Sequence, residues 1–501
     1  MLDDYKHLGL RRVGRKSGFA VALLLSACAV GPNFHAPAPP ATEGYAPGEL
    51  PKNTASTGVV GGESQRFQSG QDLPAEWWTL FGSPALDQLI TQAMANYPDI
   101  AAQQAALRQA RENVRAEQGV FLPSLTGNAL GQRFKESGGS IAPGFPAFIS
   151  NVFEATVNVS YNFDLFGGER RTLEQLQAVA EAQNFQLEAS YLTLTSNVAA
   201  AAIQLAATRD LLDATNQIIA LEEKQLTVIK RRVQLGSQTN ADVLQQESNL
   251  AAVRATLPPL QQQLAVTEHQ LAVLTGRFPH DASAPALKLG DLKLPQDLPV
   301  SLPSSLVAQR PDIRAQAAVL HQATAAVGIA TANMLPQLTL SGSFGGEALR
   351  FASLLEPGSN TWSLLGQVSQ PLFEGGALRA KRRAALAALD EAGAQYKLTV
   401  LDAFQNVADT LTALDNDALA LSAQYDALAA SQAGLDLIQR QYDIGIANYV
   451  TLLTAQQSYQ QARLAYVRAL ASRYTDTVTL FQALGGGWWH RMDAGTLPAP
   501  K

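Results

Sequence analysis

The chain has 501 residues, of which 47% are hydrophobic and 16% charged, and its formal net charge is −6. This apolar fraction is large enough to bury a core and excludes a disordered tail protein. The negative net charge disfavours a nucleic-acid-binding protein, which needs basic patches to neutralise phosphates. The single cysteine excludes an intrachain disulfide, and the six histidines show no metal-ligand spacing. The composition therefore disfavours a metalloenzyme.

The N-terminus has the pattern of a secretory signal peptide over residues 1–27. A basic stretch, residues 11–16, precedes an apolar run, residues 19–25, that is too short to cross a bilayer. Cys28 follows small residues directly, an arrangement that looks like a bacterial lipobox, in which the cysteine is acylated and becomes the mature N-terminus. Acyl chains would anchor the protein in a membrane. The alternative is an ordinary signal peptide with a chance cysteine.

Residues 28–76 are expected to form a lipidated leader. Prolines between residues 36 and 47 favour an extended, semi-rigid chain. Ala29 stands where lipoproteins of the inner membrane usually carry Asp, which favours the outer membrane as the address. No later stretch has 18 consecutive apolar residues, so the sequence predicts no transmembrane helix.

Two parts of the chain are copies of one pattern. Residues 97–100 match residues 310–313, and residues 122–126 match residues 335–339. Each copy also carries apolar residues at every seventh position, from Val198 to Val233 in the first and from Val407 to Tyr442 in the second. This spacing predicts long helices that pair as in a left-handed coiled coil.

The sequence predicts the same elements in both repeats. Repeat 1, residues 77–282, is expected to contain a helix over about 84–120, strands at about 122–133 and 151–163, a long helix over 169–235 and a return helix over 240–275. Repeat 2, residues 303–485, is expected to contain a helix over about 304–334, strands at about 336–345 and 361–370, a long helix over 377–444 and a return helix over 449–484. Residues 283–302 would link the repeats, and residues 486–501 would form a tail. Pro258-Pro259 predicts a kink in the first return helix.

Apolar and polar residues alternate from Phe153 to Phe163, a pattern long enough for a tilted membrane-spanning strand. We expect the small polar residues of this strand to face a water-filled lumen and the intervening apolar residues to face lipid. The predicted lumen residues are Thr156, Asn158 and Ser160. Two hairpins supply four strands, which cannot close a barrel, and open edges are not tolerated in lipid. Several chains must then share one barrel. Three copies would supply twelve strands, but the strand pattern alone does not determine the number of chains.

Catalysis finds no support in the sequence, which contains no GxSxG, HExxH or P-loop motif. One function that fits part of the pattern is a lipid-anchored periplasmic coiled-coil adaptor protein, which is the alternative to a membrane channel. It would explain Cys28 and the heptads, but it does not predict two copies of a hairpin or the alternation over residues 153–163. A porin-like barrel is disfavoured because about two thirds of the chain has helical periodicity.

The ordered set of motifs resembles the outer membrane efflux protein family, the TolC-like exit ducts, and most closely its lipidated multidrug-efflux and nodulation-type branch. The motifs are Cys28-Ala-Val-Gly-Pro-Asn-Phe, Trp77-Trp78, Phe81-Gly82-Ser83-Pro84-Ala85-Leu86, Asn96-Tyr97-Pro98-Asp99-Ile100, Phe163-Asp164-Leu165-Phe166-Gly167-Gly168, Pro371-Leu372-Phe373-Glu374-Gly375-Gly376 and Ala483-Leu484-Gly485-Gly486-Gly487-Trp488. The resemblance implies a mainly α-helical homotrimer, with a membrane β-barrel of twelve strands continuous with a twelve-helix α-barrel.

The resemblance also implies a function and partners. The trimer would be the passive exit duct of a tripartite efflux pump in the outer membrane of a Gram-negative bacterium. It would carry drugs or other small molecules and would have no enzymatic activity and no cofactor. Its partners would be outer membrane lipid, a periplasmic adaptor and an inner-membrane pump of the RND type, with no nucleic acid.

Two sites follow from the resemblance. Adaptor hairpins would dock at the helix-turn-helix tips, which here are Leu235-Gly236-Ser237 and Ile444-Gly445-Ile446. Each glycine is in any case the residue that ends a helix, because glycine adopts positive φ without strain. The second site is the periplasmic aperture.

The aperture would lie just after the second tip, at Tyr449, Thr451 and Thr454. The two threonines stand where family members often have carboxylates, so we expect a steric or hydrogen-bonded constriction instead of a charged one. Asp242 places one acid near the first tip. It is equally well explained as a residue that starts a helix.

Overall fold

The computed structural model describes residues 29–42, 44–45, 51–140, 143–281 and 285–491. The predicted signal peptide and the predicted lipidation site, Cys28, lie outside the described residues. The chain divides into two compact units. Unit 1 is made of Met1–Ala36, Arg108–Ala182 and Gln316–Tyr396, and unit 2 is made of Pro37–Leu107, Gln183–Ala315 and Lys397–Lys501.

The described residues form nine α-helices and six strands. The helices are α1 (Pro84–Asn96), α2 (Pro98–Val120), α3 (Gly168–Gln234), α4 (Asn240–Arg254), α5 (Leu257–Leu274), α6 (Pro303–Gln309), α7 (Pro311–Ala332), α8 (Ala377–Asp443) and α9 (Tyr449–Ala483). The strands are β1 (Arg66–Ser69), β2 (Ser124–Glu136), β3 (Phe148–Phe163), β4 (Asp297–Val300), β5 (Gln337–Ala348) and β6 (Asn360–Ser369).

The two long helices, α3 and α8, carry the heptads. Each has 67 residues, which corresponds to about 100 Å at the rise of an α-helix. Heptad residues of both helices are fully buried in unit 2, among them Val198, Leu205, Val407 and Leu414. Burial of one such side chain contributes about 1.5–3 kcal/mol, so the apolar heptad positions are a main source of the stability of the helices.

Two helices that the sequence predicts as continuous are interrupted, and a third is broken near its predicted kink. α1 ends before Tyr97 and α6 ends before Arg310, and both residues are extended, with ψ of 120° and 125°. Each precedes a proline, and a residue before proline is disfavoured in the helical region. The proline then starts the next helix, where its missing N–H costs nothing. The first return helix is likewise two helices, α4 and α5, separated just before Pro258-Pro259.

Unit 1 contains a four-stranded antiparallel sheet in the order β2-β3-β5-β6. β2 and β3 form one hairpin, β5 and β6 form the other, and β3 pairs with β5 to join the two repeats. Within the described chain, β2 and β6 each pair on one side only. β3 has 16 residues and is longer than the strand that the alternation predicts.

Unit 2 contains a two-stranded parallel sheet that the sequence does not predict. β1, in the leader, pairs with β4, in the linker between the repeats, in the register Arg66↔Asp297 to Ser69↔Val300. An aromatic cluster of Trp77, Phe81, Tyr474 and Phe481 is buried beside these segments. The described helices include none with a stretch long and apolar enough to cross a membrane.

Candidate functional site

One face of the four-stranded sheet is lined by small polar residues. Residues that oppose each other in an antiparallel ladder project from the same face. Asn158 of β3 lies opposite Thr126 of β2 and Ser343 of β5. The whole polar row of β3 (Thr156, Asn158, Ser160) faces the rows Asn128, Thr126, Ser124 of β2 and Gly345, Ser343, Ser341 of β5. The three predicted lumen residues therefore share one polar face.

The opposite face of the sheet is apolar and exposed. Val157 lies opposite Phe344, which in turn lies opposite Trp362, and the three residues are 46%, 66% and 73% exposed in the single chain. A contiguous apolar surface of this kind needs lipid or protein to cover it. The sheet thus has one face suited to water and one suited to an apolar environment.

A glycine on the polar face keeps two strands of the sheet close together. A Cβ added to Gly345 would lie 2.1 Å from the carbonyl oxygen of Ala155 and 2.8 Å from Cγ2 of Thr156. Thr156 is consequently buried, although its neighbours on this face are partly exposed. Gly345 is not among the site residues predicted from the sequence; the Gly345-Gly346 pair inside a strand pattern is the available signal for such a close approach.

The two helix-turn-helix tips have the same geometry. In the first, Ser237 N–H donates to the Arg232 carbonyl oxygen (2.9 Å), and Gly236 N–H donates to that of Val233 (3.0 Å). These are the two bonds of a Schellman motif, and Gly236 has the required positive φ, 74°. At the apex, Leu235 is 67% exposed.

The second tip repeats these bonds. Ile446 N–H donates to the carbonyl oxygen of Gln441 (2.8 Å), Gly445 N–H donates to that of Tyr442 (3.1 Å), and Gly445 has φ 83°. Ile444 and Ile446 are both 72% exposed. Each tip therefore presents apolar side chains to the outside of the chain at a rigid, glycine-dependent turn.

Asp242 lies in the first turn of α4, and Thr451 and Thr454 lie in the first two turns of α9. Asp242 completes a capping box, because its Oδ2 accepts from Thr239 N (3.0 Å) and Thr239 Oγ1 accepts from Asp242 N (3.3 Å). Thr451 donates to Asn448 Oδ1 through its N–H (2.9 Å), and the Thr454 hydroxyl donates to the Val450 carbonyl (2.9 Å). Thr451 and Thr454 are exposed in the single chain.

Tyr449 lies in a different environment, inside a buried polar network. Its hydroxyl donates to Gln246 Oε1, and Gln246 Nε2 donates to the carbonyl oxygen (3.2 Å) and to the carboxylate of Glu222. Burial raises the pKa of Glu222. Burial, and then repulsion by the Glu222 charge, raises the pKa of Tyr449, so its hydroxyl remains a donor at neutral pH. The network ties α3 and α4 of the first repeat to α9 of the second.

Apolar residues and a cation surround this network. Ile229, Leu435, Leu452 and Leu453 pack with Tyr449 in one buried cluster. The Arg232 guanidinium lies 4.4 Å from the ring centroid of Tyr442, which is a cation–π distance. Glu222 and Gln246 were not predicted from the sequence. Each stands three residues after an apolar heptad position, where a coiled coil normally has its second apolar residue, so a polar residue at that place was the available signal.

The described part of the chain offers no metal centre, since it holds no group of three or more His, Cys, Asp or Glu side chains that could bind a metal ion. The functional features described above are surfaces and a buried network. They are the two faces of the sheet, the two tips and the polar network between the repeats.

Comparison with known proteins places these features in a family. The outer membrane efflux protein family matches residues 89–277 and 302–486. The pyoverdine export outer membrane protein OpmQ of Pseudomonas putida is 32% identical over 434 residues, which cover 86% of this chain and 92% of that protein. The toluene efflux pump outer membrane protein TtgF of P. putida is 29% identical over 486 residues, covering 94% and 96%.

Solved structures show the same fold. The outer-membrane channel OprN superposes with a TM-score of 0.83 at 26% identity, covering 92% of this chain and 100% of that one. The CmeC outer membrane channel of Campylobacter jejuni has a TM-score of 0.82 at 23% identity, covering 93% and 97%. These matches span both repeats. The chain is a member of the outer membrane efflux protein family and functions as an outer membrane efflux channel.

Proposed function

We propose that three copies of this chain form the exit duct of a tripartite efflux pump, a passive channel across the outer membrane and the periplasm. The observation that carries the proposal is the sheet of unit 1, which has one polar and one apolar face and pairs on one side only at β2 and β6. An unpaired edge is not tolerated in lipid. Pairing β2 of one copy with β6 of the next removes all edges and closes a barrel.

The number of copies is supported by the family resemblance. Three sheets of four strands make a barrel of twelve strands, wide enough for an aqueous lumen. The polar rows that contain Thr156, Asn158 and Ser160 would line the lumen, and Val157, Phe344 and Trp362 would meet lipid. The helices of the three chains would form a twelve-helix α-barrel in the periplasm.

The tips are proposed as docking sites for a periplasmic adaptor. Leu235, Ile444 and Ile446 are exposed apolar residues on turns held by two hydrogen bonds each. Rigid apolar anchors of this kind are suited to pockets on a partner protein. The adaptor would connect the duct to an inner-membrane pump of the RND type.

The aperture is proposed to be a neutral ring. Thr451 and Thr454 are exposed on the first two turns of α9, and three copies of each would meet around the mouth. A ring of hydroxyl groups constricts by size and hydrogen bonding, and lacks the cation attraction of a carboxylate ring. Asp242 and Tyr449 would hold the helices of this mouth in position. Asp242 caps the start of α4, and Tyr449 links the two repeats through its hydrogen bond to Gln246.

Lipid on Cys28 is proposed as a second attachment to the outer membrane. The small residues before Cys28 and the absence of any other cysteine in the sequence support this proposal. The cargo does not follow from the family. Relatives are named for pyoverdine export and for toluene efflux, which differ in size and polarity.

The decisive experiment is single-channel conductance of the purified protein in a planar bilayer, beside its mass on an unheated gel. We expect a trimer-sized species that conducts ions. A matched pair of variants then tests the two faces of the sheet. Val157→Asp should reduce the trimer yield in outer membrane fractions, whereas Asn158→Asp, which adds the same charge to the other face, should leave it unchanged. A monomer without conductance would favour the lipid-anchored adaptor, and equal yields of the two variants would refute the assignment of the faces.

A further inference from the structure

The beginning of the leader is held against unit 1 by one buried side chain. Arg171, at the start of α3, is 3% exposed. Its Nε donates to the Val30 carbonyl oxygen (3.1 Å), and its Nη2 donates to Asn33 Oδ1 (2.7 Å) and to the Gly31 carbonyl oxygen (3.4 Å). Nη1 donates to Glu174 (2.6 Å). Three of its four hydrogen bonds thus go to the leader.

The leader lies so close to the helices that only glycine fits at the contact. Gly31 has φ 94°, and a Cβ added to it would lie 2.5 Å from Cα of Gly328 on α7. A Cβ on Gly328 would in turn lie 2.8 Å from Cδ of Arg171. Gly31, Gly328 and the Arg171 side chain are therefore stacked in three layers with no space between them.

Two further contacts fix the register of the leader. At one end, Val30 N–H donates to the Phe166 carbonyl oxygen (3.0 Å), and a Cβ on Gly167 would lie 2.5 Å from Ala29 Cα. At the other end, the Phe34 ring stacks on the His321 ring at 4.4 Å between centroids and 15° between planes. The leader can therefore occupy this place in one alignment only.

The two side chains that grip the leader are joined by Glu174. Its carboxylate accepts from Arg171 and lies 2.9 Å from His321 Nε2. A shared acceptor holds both side chains in place before the leader arrives, which lowers the ordering cost of binding.

We propose that Arg171, Gly328 and His321 form a peptide-binding cradle for leader residues Ala29–Phe34. This cradle, and not the acyl group on Cys28, holds these leader residues beside the end of β3. The cradle is independent of the proposed channel function, and its test measures the leader itself instead of transport.

The test places one spin label on the leader of the full mature chain. Cys28→Ser removes the only native cysteine and with it any acylation, so this background is exported with a conventional signal peptide. His35→Cys then carries a nitroxide next to Phe34. We expect a motionally restricted spectrum although no lipid is present. A freely mobile label in this background would overturn the proposal.

Three variants in the same background locate the cause of the restriction. In Gly31→Ala, the added Cβ should prevent the leader from binding in the cradle, so the nitroxide spectrum should show the narrow lines of a mobile label. The helices that form the cradle are unchanged in this variant. Arg171→Gln should also give narrow lines, with an unheated gel to check that the assembly forms. Gly58→Ala, in the leader with no atom within 4 Å of the added Cβ, is the matched control and should stay restricted. A restricted label in Gly31→Ala would overturn the proposal, whatever the behaviour of Arg171→Gln.

A peptide added in trans provides a second measurement. A fluorescein-labelled peptide with the sequence of residues 29–36 should bind to the unlabelled Gly31→Ala protein, whose cradle is empty. Binding is measured as a rise in the fluorescence anisotropy of the peptide. The peptide should bind at least tenfold more weakly to the wild-type protein, whose own leader fills the cradle, and to the Gly31→Ala, Arg171→Gln double variant. Equal affinity for the single and double variants would show that Arg171 does not recognise the leader.

Discussion

Asp417 on α8 lies close to Asp476 on α9 in unit 2, and its Oδ2 is buried without a hydrogen-bond partner in the described structure. Burial and the neighbouring Asp476 carboxyl group raise the pKa of Asp417 to about 7, against the opposing effect of Arg473. Arg473 is itself fully buried, and its Nη2 donates to Thr54 Oγ1 (3.1 Å) and to the Glu63 carbonyl oxygen of the leader. Glu63, Arg473, Asp417 and Asp476 therefore form one charged cluster that joins the leader to α8 and α9.

This cluster predicts that stability depends on pH in an unusual direction. The folded chain holds the proton of Asp417 more tightly than the unfolded chain, in which an aspartate has a pKa near 4. The stabilising contribution is complete below about pH 4, declines as the pH rises from there, and is lost above about pH 7. We expect the Tm of the wild-type protein to fall between about pH 4 and pH 7, and Asp417→Asn to reduce that fall.

The control for this prediction is Asp426→Asn, which changes an exposed aspartate of the same helix. It should leave the dependence of Tm on pH as it is in the wild type. An Asp417→Asn protein whose Tm still falls over this pH range by the wild-type amount would show that another group titrates.

Removal of the Tyr449 hydroxyl is expected to lower the free energy of unfolding. Tyr449→Phe leaves Gln246 Oε1 buried without its donor, so we expect a loss of about 1–3 kcal/mol in the free energy of unfolding. Denaturant unfolding, followed by circular dichroism, measures the change. Tyr97→Phe, at a half-buried position of the same unit, is the control. A stability of Tyr449→Phe equal to that of the control would mean that Gln246 finds another donor.

The helices and the two-faced strand could be predicted from the sequence because their signals are local. A heptad needs only the residues of one helix, and alternation over residues 153–163 already separates the two faces of β3. The resemblance to the efflux family, carried by motifs in order, is confirmed by the family match and by the relatives. The helix breaks at Tyr97 and Arg310 could also have been predicted, since each residue precedes a proline, which disfavours the helical conformation.

Contacts between distant segments could not be predicted. β1 and β4 have four residues each and lie more than two hundred positions apart, and their pairing depends on the burial of β4 in the core, with only an exposed Arg66–Asp297 ion pair (2.8 Å) beside it. The pairing of β3 with β5 likewise joins two repeats that the sequence describes separately. In each case the partner is selected by tertiary packing, which no single stretch of sequence contains.

The aperture assignment predicts that added charge changes ion selectivity. Thr451→Asp and Thr454→Asp place carboxylates on an exposed helix turn, where folding should tolerate them. If three copies meet at the mouth, the reversal potential in a salt gradient should shift toward cation selectivity, and the shift should shrink at high ionic strength. Thr451→Val and Thr454→Val keep the shape without the charge and serve as controls. Unchanged selectivity in both aspartate variants would place these residues away from the conducting path.

The exposed apolar residues of the tips predict a separation of conductance from efflux. Leu235→Asp and Ile444→Asp should leave the trimer and its bilayer conductance intact, because both side chains are more than two-thirds exposed and the Schellman bonds use only backbone atoms. Both variants should lose efflux in the native host, because a charge would enter an apolar pocket of the adaptor. The measurement is the inhibitory concentration of antibiotics to which deletion of the channel sensitises that host. Val60→Asp, equally exposed but in the leader, should restore full resistance. Full resistance with both tip variants would exclude the tips as the docking surface, while a loss of trimer would show that these side chains serve assembly instead.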